Sequence, residues 1–250
     1  MNKILYLLIF ISNFYFSQNL HIEYVNNNSK FTSFKEDLYI TNENIVSIRD
    51  SITLENLDKT PKIKESNEAF FFVKDKLHKI AYFKNKKNDT IIIKNYIDEN
   101  YYFIEDILPK TEWNINYTET KNILGYECNK ATTFFRGSKI TAYFTKKIKT
   151  NTGPYKFGGL NGLILEVFEN DNTINSWKAI KLENLKQKSI SLPQINKSEK
   201  TITLKEFLAL NQKKIDEDFE EILKKLPKEV VVNRNKIERT GIEKKYEWEN

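Results

Sequence analysis

The chain has 250 residues, of which 40% are hydrophobic and 13% aromatic, enough apolar surface for a real core and too much for wholesale disorder. Its net charge of +6 arises from 40 Lys and Arg interleaved with 34 Asp and Glu. No basic stripe with spaced aromatics stands out, which argues against a nucleic-acid partner.

The chain opens Met1-Asn2-Lys3, a short start with one basic residue, and is then apolar from Ile4 to Ile11, with Phe14, Tyr15 and Phe16 extending the run. This is the layout of a secretory signal, and Ser17-Gln18 supplies the cleavage point, so residues 1–17 are expected to be removed. A membrane anchor would need roughly 20 apolar residues, and Asn13 and Gln18 interrupt the run too early. With no cysteine near Ser17, a lipoprotein is disfavoured. The expected location is the periplasm or the outer-membrane surface, soluble after cleavage, where cytosolic nucleotides are not supplied.

From His21 to about Leu185 the chain reads as short strands. His21–Val25, Phe70–Val73, Thr90–Ile93 and Tyr101–Ile104 are β-branched and aromatic runs, separated by polar turns such as Asn26–Ser29 and Asn85–Asp89. Such spacing favours antiparallel pairing over βαβ units. Trp113–Tyr117 alternates apolar and polar residues, as a half-buried strand does. Arg136-Gly137-Ser138 reads as a hairpin turn, since glycine reaches positive φ freely. Ile140–Phe144 is expected to be a central, covered strand, and Ser176–Ile180 a later one. Cys128, the only cysteine, cannot form an internal disulfide. It shares a strand face with Leu124 and Tyr126, which points to a buried small hydrophobe rather than a nucleophile.

Helix comes late. Thr203 precedes Glu206 by three residues, a capping-box spacing. Apolar residues from Leu204 to Leu226 then recur at helical intervals until Pro227 forbids continuation. A helix over about 203–226 is therefore expected to pack on the sheet. One β-rich domain spans 18–232, and 233–250 forms a charged tail expected to fray unless Tyr246 and Trp248 dock.

Three segments carry a family resemblance. Gly153-Pro154-Tyr155-Lys156-Phe157-Gly158-Gly159-Leu160-Asn161-Gly162-Leu163-Ile164 resembles the signature of the GLPGLI family, with Asn161 in place of its proline. Trp113–Ile115 followed by Glu119–Ala131, which includes Gly125, Tyr126 and Cys128, is similar to the family in order and spacing. So is Thr141–Thr145, where the family often has tryptophan at the place of Tyr143. Together they cover residues 101–185. The resemblance implies an exported, β-rich protein of Gram-negative bacteria with no established activity and no catalytic residues to carry over. By analogy with periplasmic lipoprotein carriers it also implies curvature. The fold expected is mainly β: a curved antiparallel sheet or half-barrel with a C-terminal α-helix packed on it.

Within the signature, Asn161-Gly162 is a strong two-residue hairpin signal, and Gly158-Gly159 would permit a kink or a close backbone approach. The glycines, with Pro154, Leu160, Leu163 and Ile164, read as structural. The functional reading places Tyr155, Lys156 and Phe157 on an exposed loop, with Asn161, as contacts for a ligand or partner.

Catalytic motifs are scarce. There is no His-Glu-x-x-His, no Gly-x-Ser-x-Gly and no phosphate-binding glycine loop. His21, His78 and Cys128 are far apart in sequence, so no metal and no cofactor is expected. His78 reads as an exposed strand residue, and Glu105-Asp106 as an ordinary acidic pair. The function expected is non-catalytic binding of an apolar small molecule or lipid on the concave face, motivated by Phe70–Phe72, Tyr101–Phe103, Phe134 and Phe135. The alternatives are an accessory to an outer-membrane receptor or surface complex, and a hydrolase with a dispersed active site.

Overall fold

The computed structural model describes residues 19–28, 33–42, 44–52, 78–84, 89–169, 174–185, 192–195, 200–226, 239 and 241–249. The signal segment 1–17 and the Phe70–Val73 run lie outside the described residues. No described helix is long and apolar enough to cross a membrane.

Strands form where β-branched and aromatic residues alternate between polar turns. In chain order they are β1 (Leu20–Asn27), β2 (Ser33–Ile40), β3 (Ile45–Ile52), β4 (Ile80–Lys84), β5 (Thr90–Ile97) and β6 (Asn100–Ile107). There follow β7 (Thr120–Ile123), β8 (Tyr126–Phe135), β9 (Ser138–Thr145), β10 (Leu163–Glu169), β11 (Ser176–Asn184) and β12 (Thr201–Thr203), then α1 (Leu204–Lys225). All join one open, curved sheet ordered β12-β6-β5-β4-β3-β2-β1-β11-β10-β9-β8-β7. Every pairing is antiparallel except β12 with β6. The mainly β sheet with a C-terminal helix is as the sequence led us to expect.

β1 sits at the centre because it pairs with β2 on one edge and β11 on the other. It thereby joins two meanders. Its alternation sends Ile22 and Tyr24, both fully buried, into the larger core, which also holds Leu38, Phe144, Leu163 and Trp177. A second core gathers Tyr82, Ile91, Ile93 and Ile104 with Leu204 and Phe207 of α1 and Tyr246. Two-residue turns at Leu124-Gly125 and Arg136-Gly137, all four residues at positive φ, connect β7–β8 and β8–β9 as mirror-image turns that suit strand twist. Cys128 is fully buried and burial pushes its thiol up to about 11, so it is inert at neutral pH.

The helix begins where its capping box says. Thr203 Oγ1 accepts from the Glu206 N–H at 3.2 Å, and the Glu206 carboxylate accepts from the Thr203 N–H at 2.7 Å. It stops at Leu226, extended at φ −79° and ψ 149°, the conformation required of a residue before proline. Its docking differs from expectation. Only Leu204 and Phe207 are buried, while Leu210 and Ile215 are exposed. Among the described residues, the helix's fully buried contacts are confined to its first turns.

One other expectation is corrected, and for the tail the docked alternative is the one observed. Trp113–Tyr117 is not a strand: a single bridge joins Asn114 to Thr132. The Asn114 side chain then accepts the Asn116 N–H, which diverts the backbone from the ladder. The end of the tail does not fray, since Ile242 and Tyr246 are buried and the N–H groups of Lys244 and Lys245 donate to Arg136 O. Within that tail, residues 233–238, 240 and 250 lie outside the described residues.

Candidate binding site

The β9–β10 connection does not make the hairpin that Asn161-Gly162 suggested. Gly162 has φ 155°, but Asn161 is not at positive φ, and the strands are joined by a long loop that folds over the sheet. Its own backbone closes it: Gly159 N–H donates to Asn151 O at 2.8 Å, and Ile164 N–H to Thr152 O at 3.1 Å. Side chains from distant strands hold the rest. Tyr24 donates its hydroxyl to Ile164 O at 2.7 Å, and Trp113 Nε1 donates to Gly158 O at 2.9 Å.

Under the loop lies a buried charged pair of supports. Glu36, fully buried, accepts from Ser47 Oγ, from Trp177 Nε1 at 2.8 Å and from the Tyr155 backbone N–H. Those three donors satisfy a carboxylate that burial would otherwise penalise. Lys84 Nζ donates to Gly153 O at 2.6 Å, to Phe157 O at 3.2 Å and to Thr152 Oγ1 at 3.4 Å. Burial pushes the Lys84 ammonium down to about 7. In the unfolded chain a lysine titrates near ~10.4. Between those values the unfolded state binds more protons, so this group makes stability rise with pH, and the rise is absent below its folded pKa. Urea midpoints measured from pH 7 to about 9.5 should therefore climb in the wild type. The climb should flatten in Lys84→Met, and an identical slope in both proteins would refute the assignment.

The loop residues expected on the surface turn inward. Phe157 is 2% exposed and Lys156 5%. Phe157 packs against Phe135 and Trp177, and Tyr155, held at φ 52°, stacks on Trp177 at 5.2 Å. The reading of Lys156 and Phe157 as an exposed contact is corrected, because neighbouring charges and rings satisfy both below the surface, while Tyr155 is half-buried. Asn161 alone of that set is exposed. Gly153, Pro154, Leu160, Gly162, Leu163 and Ile164 are buried, Gly158 is half-buried and Gly159 exposed. Tyr126 packs at the edge of the larger core.

Lys156 enters an ion cluster. Its Nζ lies 2.8 Å from both Asp106 and Glu243. Arg136, whose side chain is fully buried, donates to both Asp106 oxygens at 2.7 and 3.0 Å, to Glu247 at 3.1 Å and to Glu243. Burial raises the Asp106 and Glu243 carboxyls, but the two cations outweigh it, and both stay below their ordinary values. Glu243 also accepts the Tyr155 hydroxyl at 2.8 Å. Burial, then that carboxylate, pushes the Tyr155 phenol well up.

Above the cluster opens a cavity of about 630 Å³ between the ends of β1 and β11, the first turns of α1 and the C-terminal segment. Tyr155, Trp177, Tyr246 and Trp248 contribute to its wall, the last two stacked at 4.7 Å with an interplanar angle of 2°. Asn26 is 1% exposed. Its Nδ2 donates to Ser176 O at 3.2 Å, but its Oδ1 has no hydrogen-bond partner among the described residues. Glu243 and the Tyr155 hydroxyl reach the same wall, yet Glu243 is held ionised by two cations and is poorly placed to give a proton. Sequence reasoning took Asn26 for a turn residue and Tyr246 and Trp248 for docking residues, and it missed Glu36, Lys84 and Glu243. Nothing in the local sequence marks these last three.

The family model described as "N-glycanase peptide, N-terminal domain" matches residues 81–208, a span that contains the three segments carrying the GLPGLI resemblance. Two solved structures are similar in fold. "Structure of PNGF-II in P21 space group" has 18% identity and TM-score 0.52, covering 79% of this chain and 34% of that one. "Structure of PNGF-II in C2 space group" has 18% identity and TM-score 0.48, covering 79% and 33%. The chain thus spans about a third of the length of these structures. No curated protein matches. Because the family model covers just over half of the chain, the protein belongs to the N-glycanase peptide N-terminal domain family.

Proposed function

We propose that this chain is an exported, non-catalytic binding module whose cavity takes a sugar of an asparagine-linked glycan. The observation that carries this is Asn26 Oδ1, a buried acceptor at the cavity wall without a donor among the described residues. A buried polar atom left unmet costs about 1–3 kcal/mol, and an arriving hydroxyl would supply the missing donor. The aromatic faces of Trp177 and Trp248 suit the C–H faces of a pyranose, while Gln212 and Arg49 at the same wall offer donors to its hydroxyls. The family's description as an N-glycanase domain supports a glycan over other hydroxylated ligands.

An apolar small molecule or lipid is the competing occupant. Of the aromatics that motivated it, Phe103 and Phe135 are buried and Tyr102 packs on Phe207, Tyr101 and Phe134 are exposed, and Phe70–Phe72 lie outside the described residues. A role beside an outer-membrane protein fits a chain that matches only a third of larger structures, and partner capture would examine it. The deciding experiment titrates released asparagine-linked glycans, and separately phospholipid vesicles, into the full chain. Saturable glycan binding should weaken about tenfold or more, at least about 1.4 kcal/mol, in Trp248→Ala and in Asn26→Leu. Vesicle binding with no glycan binding would overturn the proposal in favour of the apolar ligand.

A further inference from the structure

A second constellation lies on the sheet face opposite the larger core. Because successive strand residues alternate faces, Ile22 and Tyr24 point into the core while His21 and Glu23 point away from it. The register sets His21 of β1 opposite Tyr39 of β2 and Glu183 of β11, and Glu23 opposite Asp37 and Lys181. Four chemistry-bearing side chains from three strands thus meet on rigid backbone.

From this juxtaposition we propose a divalent-cation site formed by His21 Nε2, Asp37 and Glu23, taking a transition dication such as zinc or manganese. His21 Nε2 lies 2.8 Å from Asp37 Oδ1, a separation normal for two adjacent ligands on one ion. The ligating atoms of the three residues all fall within 4.8 Å of one another. Two ligands on one zinc at roughly 2.1 Å each are at most about 4.2 Å apart, so closure needs only a small side-chain shift. One imidazole with two carboxylates suits borderline dications better than calcium, which prefers oxygen alone.

A further observation points the same way. The other ring nitrogen, His21 Nδ1, lies 3.0 Å from Glu183 Oε1, and the ring is stacked on Tyr39 at 4.5 Å and 4°. A metal-binding histidine nearly always donates its second N–H to a carboxylate, a backbone carbonyl or water, which fixes the tautomer and the ring plane. Here that partner and a flat support are already in place, and both His21 and Asp37 are buried.

Two lysines compensate the carboxylates as the chain stands. Lys35 Nζ is 3.2 Å from Asp37 and 4.0 Å from Glu23. Lys181 Nζ is 3.0 Å from Glu23 and 3.2 Å from Glu183. Their side chains are 40% and 50% exposed, so each can swing into solvent. With a proton on each ring nitrogen, His21 and the two lysines balance Glu23, Asp37 and Glu183. A dication that displaces the Nε2 proton and one ammonium keeps that balance and releases one proton. The inference is independent of the glycan reading, since none of these residues lines the cavity.

The test titrates zinc chloride alone into untagged, chelator-treated full chain by calorimetry, with cobalt(II) absorption reporting the ligand type. One saturable site with a nitrogen-and-oxygen cobalt spectrum is expected. Glu183→Gln should weaken it by roughly 10–100-fold, and His21→Ala should abolish it. Glu23→Gln, which leaves the buried His21–Asp37 pair intact, should weaken binding at least about tenfold with an unchanged circular dichroism spectrum. Lys35→Met should tighten binding by removing a competing cation, an effect that a purely structural ion cluster would not give. A thiolate band would assign the metal to Cys128 and overturn the proposal, as would affinity indifferent to Glu23→Gln and Asp37→Asn.

Discussion

Arg136→Met is expected to destabilise the fold by about 3–5 kcal/mol, the usual cost of removing one partner from a buried ion cluster. The guanidinium is fully buried and bridges Asp106, Glu243 and Glu247. Without it, Lys156 alone must compensate two carboxylates, Asp106 at 1% and Glu243 at 11% side-chain exposure. The cluster joins β6, the β8–β9 turn, the β9–β10 loop and the C-terminal segment, so its failure should also release Glu243 and Tyr246 from the cavity wall and abolish ligand binding. Urea unfolding measures the loss as a midpoint shift at constant slope. The partner test is Asp106→Leu/Arg136→Met, which removes both charges. Neighbours that share a network are not additive, so the double variant should be clearly more stable than the sum of the singles. A loss below about 1 kcal/mol for Arg136→Met would place it with solvent-screened surface pairs, contrary to the burial described above.

The parts of this fold that could be read in advance are those whose cause is local. Thr203 and Glu206 cap α1 because three residues bring one side chain to the other's backbone. Arg136-Gly137 turns the chain because glycine admits positive φ, and Cys128 is buried because β8 alternates. Elements decided by distant partners were misread. Lys156 looked like a surface residue because charge normally favours water, yet Asp106 and Glu243, 50 and 87 positions away, bring it inside. Asn161-Gly162 looked like a hairpin, but Glu36 and Lys84 hold the loop down on the sheet from β2 and β4. The cavity was least legible of all. Asn26 and Trp177 face each other only because β1 crosses to pair with β11, 151 residues away in that pairing. Strand pairing of such sequence separation leaves no periodic trace.

The loop itself offers a sharp steric test in Gly162→Ala. A Cβ at this position would lie 2.3 Å from Thr145 O and 2.8 Å from Thr145 C, contacts with backbone that no rotamer change relieves. Its φ of 155° is a further obstacle, since that region is nearly restricted to glycine. Thr145 cannot retreat, because it is paired with Leu163 in the β9–β10 ladder. Overlap of this kind, like overpacking in a core, should cost at least about 3 kcal/mol. Two other glycines calibrate the measurement. Gly159→Ala meets no atom closer than 3.7 Å but sits at φ 87°, so only the left-handed strain of about 1–2 kcal/mol applies. Gly241→Ala meets nothing within 4 Å and should change stability by less than about 0.5 kcal/mol. Thermal midpoints should fall in the order Gly241→Ala, Gly159→Ala, Gly162→Ala, with the last far below. If Gly162→Ala proved no worse than Gly159→Ala, the loop could relax away from β9, and the buried positions of Lys156 and Phe157 would not depend on this close approach.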